Sequence, residues 1–175
     1  MAIYALGDVV PTIHPTAYVH PDAVVIGEVT IGPESSIWPG AVLRADHGQI
    51  FIGARTSIQD GSVLHTTEHW PTVVGDQCVV GHLVHLEGCT VGNKVLVGSG
   101  SVMLNRSGAE TLSVVGAGAL VPEDMQVPTG HMALGVPAKL RAMPEPEQVD
   151  QWVVWGSDWY CENAARFAKE LRRID

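Results

Sequence analysis

The stretch VVGHLVHLEGC, residues 79–89, places two histidines and a glutamate within six positions. These are His82, His85 and Glu87, and a further histidine, His65, ends the segment RTSIQDGSVLH upstream. Imidazole nitrogens and carboxylate oxygens are ordinary ligands of Zn²⁺, and sites with two histidines, one glutamate and an open position activate water. Whether these side chains converge depends on the elements that carry them.

A six-residue repeat runs through most of the chain. Aliphatic residues recur every six positions and are often followed by glycine, as in Ile31-Gly32, Ile52-Gly53 and Val97-Gly98. A helix cannot use this period, because 3.6 residues per turn would scatter the aliphatics around its surface. The pattern predicts short strands that each turn a corner, three to a coil, with coils stacked about 4.8 Å apart. We expect the glycines to serve tight corners; a β-sandwich with coincidental spacing is the alternative.

The composition changes at about residue 144. We therefore expect a hexapeptide-repeat domain over 1–143 and a helical segment over 144–175 that packs along the solenoid or its assembly. Large apolar residues in this segment recur at near-helical intervals: Trp152, Trp159, Phe167 and Leu171. The segment ends in lysine and arginine, which suits the carboxyl end of a helix. Gly156 is a candidate break between two helices.

Charge and cysteine content restrict the partners and the compartment. A net charge of −9 argues against a nucleic-acid surface or an anionic membrane as the partner. The first residues, MAIYALGDVV, lack the basic start of an export signal, and no apolar run approaches the roughly 20 residues of a membrane span. The three cysteines have no CxxC spacing, which favours free thiols. We expect a cytoplasmic protein.

The repeat also assigns the candidate ligands to faces of a triangular prism. Leu43, Leu64 and Leu86 fall on one face, one above another. The residue after each leucine then belongs to a single outward column: Arg44, His65 and Glu87. His82 falls on a different face, above Asp60. One prism cannot bring His82 to that column, but a neighbouring prism can, so the spacing predicts a site shared between copies, most simply in a threefold assembly.

Two long segments carry a family resemblance. RADHGQIFIGARTSIQDGSVLH and VGDQCVVGHLVHLEGCTVGNKVLVGSGSVML resemble the γ-class carbonic anhydrase family of hexapeptide-repeat proteins, over roughly residues 10–140 and with a similar helical tail. The resemblance implies an all-β solenoid, a left-handed parallel β-helix with a C-terminal α-helical tail. It also implies a homotrimer that binds zinc, or iron, cobalt or another divalent metal, and interconverts carbon dioxide and bicarbonate.

Several positions match the family's functional residues. Arg44 and Asp46 match its intersubunit ion pair, Gln59 matches the glutamine that orients solvent on the metal, and Asp60 follows it as in the family. Glu68 lies in the loop after the first ligand histidine, where a proton shuttle would be useful. An asparagine usual in the family is replaced by serine at position 57.

The ligand set matches only in part. His65 and His82 match two of the family's three histidines, the first from one subunit and the second from its neighbour, but Glu87 stands in the place of the third. A carboxylate binds zinc well, yet its charge makes bound water less acidic, so weaker activity at neutral pH is expected. Two alternatives stay open: His85 replaces the missing ligand, or no metal binds and Glu87 pairs with protonated His65 or with Arg44.

These features favour a metal-dependent lyase that hydrates carbon dioxide reversibly. A second hypothesis is a non-catalytic, γ-carbonic-anhydrase-like structural subunit, which the glutamate substitution favours. A third is an acyl-CoA transferase or thioesterase, because LGVPAKL at residues 134–140 resembles a stretch common in hexapeptide-repeat acyltransferases.

Overall fold

The chain folds into a parallel β-solenoid of about seven coils followed by one helix, in a computed structural model that describes residues 2–143 and 145–175. The predicted fold class, a left-handed β-helix with a helical tail, is confirmed. In chain order the strands are β1 (Ala2–Tyr4), β2 (Thr12–Ile13), β3 (Tyr18–Val19), β4 (Val24–Ile31), β5 (Ser36–Ile37), β6 (Val42–Ile52), β7 (Ser57–Ile58), β8 (Val63–His65), β9 (Thr72–Val74), β10 (Val79–Val80), β11 (His85–Glu87), β12 (Thr90–Val91), β13 (Leu96–Val97), β14 (Val102–Met103), β15 (Gly108–Ala109), β16 (Val114–Val115), β17 (Leu120–Val121), β18 (Gln126–Val127), β19 (His131–Leu134) and β20 (Lys139–Ala142).

The strands form three faces. Face 1 contains β1, the first halves of β4 and β6, and β8, β11, β14 and β17. Face 2 contains the second halves of β4 and β6 with β2, β9, β12, β15 and β18. Face 3 contains β3, β5, β7, β10, β13, β16 and β19, and β20 adds an antiparallel strand at its end. On face 1, Leu43, Leu64 and Leu86 pair directly across β6, β8 and β11, so the predicted stacking is confirmed.

The core is a column of aliphatic side chains from each face. On face 3 it includes Ile37, Ile58 and Val80, all fully buried and in register on successive coils. Each such side chain contributes about 2 kcal/mol of hydrophobic free energy. Because successive strand residues point to opposite sides, the residues on either side of each inward aliphatic form outward ladders, and these ladders position the candidate site.

The expectation that the repeat glycines serve tight corners is wrong at two positions where the contacts give another reason. A Cβ on Gly32 would lie 2.7 Å from the carbonyl carbon of Gly53, and one on Gly53 would lie 2.6 Å from that of Gly75. The left-handed backbone falls instead on Glu34 and Arg55, with φ of 58° and 55°. These glycines therefore allow neighbouring coils to approach, while ordinary residues take the corner conformation.

The tail is a single helix, α1 (Pro146–Glu170), that lies on face 3. It covers an outward ladder of apolar side chains, here called the face 3 ladder: Val79, Leu96, Val114 and Met132. The expected break at Gly156 is absent from this helix. A Cβ at Gly156 would lie 3.3 Å from Val79 Cγ2, so the glycine lets the helix approach the sheet. No helix in the described ranges is both long and apolar enough to cross a membrane.

Candidate metal centre

The outward column predicted from the repeat lies on face 1. Arg44 pairs with His65 across β6 and β8, and His65 pairs with Glu87 across β8 and β11. Because parallel strands in register place equivalent side chains about 4.8 Å apart, the imidazole and the carboxylate are stacked by the backbone itself. Their proximity therefore needs no loop to hold it.

Carboxylates lie on both sides of the His65 ring. Its Nε2 donates a hydrogen bond to Asp46 Oδ1 at 3.0 Å, and its Nδ1 lies 3.4 Å from Glu87 Oε1. The guanidinium of Arg44 contacts the other oxygen of Asp46. Partial burial would raise the pKa of Asp46, but the His65 hydrogen bond and the Arg44 charge outweigh it and hold that pKa below its ordinary value. Arg44 and Asp46 thus form an ion pair within one chain that orients His65.

His85 forms a hydrogen bond with the second carboxylate oxygen of Glu87. Its Nε2 donates to Glu87 Oε2 at 3.1 Å. This hydrogen bond is the main reason that the pKa of Glu87 lies below its ordinary value; burial opposes it, and His65 adds to it. Glu87 is therefore an ionised carboxylate between two imidazoles, with one oxygen toward each.

His82 lies elsewhere, at the corner where face 3 turns into face 1. Its Nδ1 donates to Asp60 Oδ2 at 2.9 Å, and both side chains are about half exposed, at 53% and 49%. The described chain records no partner for its Nε2. The structure therefore brings together His65, Glu87 and His85, and separately His82 and Asp60, but does not bring the two groups together within one chain.

Ser57 lies in strand β7 and Gln59 directly follows that strand; both are buried on face 3. The Ser57 hydroxyl accepts a hydrogen bond from the indole of Trp38 at 3.0 Å. The serine that replaces the family's usual asparagine therefore helps to hold Trp38 in place. Tyr160 of α1 packs on Trp38 with ring centroids 5.7 Å apart. Burial, and then the charge of Asp60, raise the pKa of Tyr160. No spacing rule predicts Trp38 as the contact between helix α1 and Ser57.

Glu68 is exposed in the loop between β8 and β9. The loop is held at its base, where the Arg106 guanidinium lies 4.6 Å from the centre of the Trp70 ring and Thr67 donates a hydrogen bond to Asn105. Sequence reasoning missed this anchor, because Trp70 and Arg106 belong to different coils and no spacing rule connects them.

The donor set fits a divalent metal only as two halves. Among residues 2–143 and 145–175, no three His, Cys, Asp or Glu side chains are arranged to hold a metal within one chain. The 3.4 Å between His65 Nδ1 and Glu87 Oε1 matches the separation of about 3.3–3.5 Å between two ligands of a tetrahedral zinc with bonds near 2.0–2.1 Å. Each candidate histidine also donates its other ring nitrogen to a carboxylate, as metal-bound histidines commonly do.

Comparisons with known proteins identify the relatives of this chain. Residues 11–45 match the family model described as bacterial transferase hexapeptide (six repeats). The chain is 39% identical to gamma carbonic anhydrase 1, mitochondrial, of Arabidopsis thaliana, over 96% of this chain, and spans 64% of that relative's length. It is 37% identical to protein YrdA of Escherichia coli, covering 87% of this chain and 90% of YrdA.

A solved structure has the same architecture throughout. The crystal structure of a hexapeptide transferase family protein from Anaplasma phagocytophilum superposes with a TM-score of 0.90 at 34% identity, covering 95% of this chain and 98% of the other. Identity at this level over nearly whole chains, together with the six-residue repeat, decides the family. The chain belongs to the γ-carbonic-anhydrase-like family of hexapeptide-repeat proteins.

Proposed function

We propose that this chain forms a homotrimer with a divalent metal, zinc or an ion such as iron or cobalt, bound between neighbouring copies, and that it catalyses the reversible hydration of carbon dioxide. His65 and Glu87 of one copy and His82 of the next are the proposed ligands. One observation carries the proposal: one half-site lies on face 1 and the other at the corner between faces 3 and 1, and each already has its imidazole oriented by a carboxylate, Asp46 or Asp60.

Face 1 supports the assembly. Besides the charged column it carries a second outward ladder, here called the face 1 ladder: Val24, Val42, Val63, His85, Val102 and Leu120. Val63 is 38% exposed, whereas the helix contacts lie on the strands of face 3. A ladder that is apolar except for His85, beside a half-site, indicates a surface that another protein covers. Since His82 belongs to a different surface of the chain, the contact is heterologous, and a ring closes it.

The chain's own residues have distinct roles in the proposed reaction. When bound, a divalent metal supplies the Lewis acidity that makes water reactive toward carbon dioxide near neutral pH. Asp46 and Asp60 fix the orientation of the two imidazoles, and Gln59 orients the attacking solvent. Exposed Glu68 passes the released proton to bulk water. Glu87 adds a negative charge that a third histidine would not, so the acidity supplied to solvent is reduced.

Two other functions remain as competing hypotheses. The Glu87–His85 hydrogen bond satisfies the carboxylate without a metal, which favours a non-catalytic structural subunit. Acyl-CoA chemistry draws support from the transferase name of the solved relative, and LGVPAKL lies across the β19–β20 turn. Saturating acetyl-CoA would raise the melting temperature if this third hypothesis were correct.

The decisive experiment measures metal and activity on the same samples. Protein purified without chelator is expected to contain about one metal per chain and to hydrate carbon dioxide above the buffer rate. His82→Ala and Glu87→Ala are each expected to lose the metal, whereas His131→Ala, a histidine on β19 outside both half-sites, retains it. Wild-type protein without stoichiometric metal supports the structural subunit, and metal retained in both site variants contradicts the ligand assignment.

We also propose the cytoplasm as the location. Cys78 and Cys89 are buried and Cys161 is partly exposed, and all three are free thiols, a state that a reducing compartment maintains.

A further inference from the structure

Helix α1 carries three exposed tryptophans on one side. Trp152, Trp155 and Trp159 are 63%, 72% and 46% exposed, and their spacing of three and four residues places them on one helical stripe. At roughly 250 Å² for each indole side chain, the stripe exposes on the order of 450 Å² of mainly apolar surface. The largest apolar patch on a monomer is commonly of this size and is often functional, so this stripe is a candidate interaction surface.

Two ion pairs hold one flank of helix α1 against the solenoid, and they show that the tryptophan stripe lies on the opposite flank. Asp158 pairs with Arg55 at 2.6 Å and Asp150 pairs with Lys94 at 2.9 Å. Arg55 and Lys94 lie at the corner between faces 2 and 3, where the backbone takes its left-handed turn. At 100° per residue, the tryptophans fall on the other side of the helix, toward the corner between faces 3 and 1.

That second corner carries the candidate half-site and further apolar surface. His82 and Asp60 are there, and the neighbouring Leu83 is 70% exposed. The height also agrees: Gly156, in the middle of the stripe, lies against Val79 on the coil that contains His82. The stripe is therefore at the level of the half-site and beside it.

We propose that the tryptophan stripe is an inter-copy contact, packed against face 1 of the neighbouring copy at the edge of the shared site. This inference rests on the proposed function, whose ring it deepens by assigning α1 to the interface. The occupant is a second copy of this chain because the ring already requires face 1 of one copy to meet the His82 corner of the next. The stripe and the face 1 ladder are two dissimilar apolar surfaces that this single contact covers. In this position the indoles exclude water from one side of the metal centre.

The test replaces the most exposed indoles while sparing the one that packs. The Trp159 and Tyr160 rings pack with their centroids 4.8 Å apart. The primary variant is therefore Trp152→Ser/Trp155→Ser, and a second variant adds Trp159→Ser. Val136→Ser/Ile174→Ser is the matched control, since these two apolar residues are 71% and 86% exposed outside the stripe. Sedimentation equilibrium gives the assembly constant, and circular dichroism gives the fold.

The double variant is expected to keep its spectrum and to assemble at least about 100-fold more weakly, while the control assembles like the wild type. Acrylamide is expected to quench wild-type tryptophan fluorescence more strongly in dilute, dissociated protein than in assembled protein. A double variant that assembles normally, or a wild type that is monomeric at all concentrations, overturns the inference. If the wild type forms a trimer without metal and the double variant assembles more weakly, the proposed function is contradicted but this contact is supported.

Discussion

Face 1 and face 3 carry the same kind of outward ladder, but among residues 2–143 and 145–175 only the face 3 ladder is covered. On face 3 the ladder residues pack against Val149 and Val153 of α1, and Val79 is 8% exposed. On face 1 the corresponding Val63 is 38% exposed, and the helix lies on the other face. The ladders differ in one more respect, because only the one on face 1 runs beside the charged column of Arg44, His65 and Glu87.

The difference shows how a solenoid assigns its surfaces. A strand with one wet face alternates apolar and polar residues, so a ladder that is apolar on the outside as well predicts a cover. The chain supplies that cover for face 3 with its own tail. For face 1 the proposed cover is the next copy, which would explain why one half of the proposed metal centre lies there.

The largest expected effect is on folding, at face 3. Val79→Asp places a carboxylate under Gly156 of α1 with no partner, and it is expected to lower the free energy of unfolding by about 3 kcal/mol. Val79→Ala removes only apolar contact and is expected to cost about 1–2 kcal/mol. Urea unfolding followed by circular dichroism measures both. Equal, small losses in the two variants would mean that the helix does not seal this face.

The matching change on face 1 is expected to affect assembly rather than folding. Val63→Asp leaves the solvated monomer within about 1 kcal/mol of the wild-type stability, but it buries an unpaired charge on association. The proposed trimer is expected to dissociate at micromolar concentrations in this variant, while Val63→Thr, of similar shape, still assembles. Sedimentation velocity and urea unfolding on the same samples separate the two effects. A trimeric Val63→Asp protein contradicts the role given to the ladder.

The charged column of face 1 provides a smaller, chemical effect. Glu87→His replaces an anionic ligand with a neutral one, so solvent at the metal becomes more acidic. The midpoint of the pH profile of carbon dioxide hydration is expected to fall, and the rate at neutral pH to rise on the order of 10-fold. Stopped-flow assays on metal-replete protein measure it. His69→Ala, a change in the nearby loop, is expected to leave the midpoint unchanged.

The smallest expected effect is on the pH dependence of the free energy of unfolding, through the carboxylates of face 1. The pKa values of Asp46 and Glu87 lie below their ordinary 3.8 and 4.5 in the folded chain. A lowered folded pKa stabilises the fold above the unfolded value, and this contribution is lost as the pH falls through the folded value. In chelator-treated protein, Glu87→Gln is therefore expected to reduce the fall in stability below about pH 4.5, while exposed Glu68→Gln does not. An unchanged slope in Glu87→Gln would contradict the assigned hydrogen bonds.

The sequence predicted the register of the coils, and with it the His65–Glu87 column, because a six-residue repeat fixes both which residue points inward and which residue lies above it. It failed where contact between different elements, coil with coil or helix with coil, decides the structure. Glycine is a residue type that often breaks a helix, yet Gly156 lies inside α1. It is there because a residue without a side chain lets the helix approach Val79. The glycines after inward aliphatics likewise serve close stacking, which no single-coil pattern encodes.

Within the site, the limits of prediction have the same cause. The pairing of His82 with Asp60 follows from the repeat, which stacks them. The hydrogen bond between His85 and Glu87 depends on side-chain rotamers two residues apart on one strand, and the anchor of the Glu68 loop depends on Trp70 meeting Arg106 two coils away. Periodicity gives neither of these.

The central claim is that one metal centre takes ligands from two copies. Mixing refolded His82→Ala and Glu87→Ala chains tests it directly, because each variant retains the half-site that the other lacks. At equal proportions and random assembly, about one quarter of the interfaces join an intact His65–Glu87 pair to an intact His82. The mixture is therefore expected to bind metal at about a quarter of the wild-type level, while each variant alone binds none. A mixture with no more metal than its parents would contradict the shared centre.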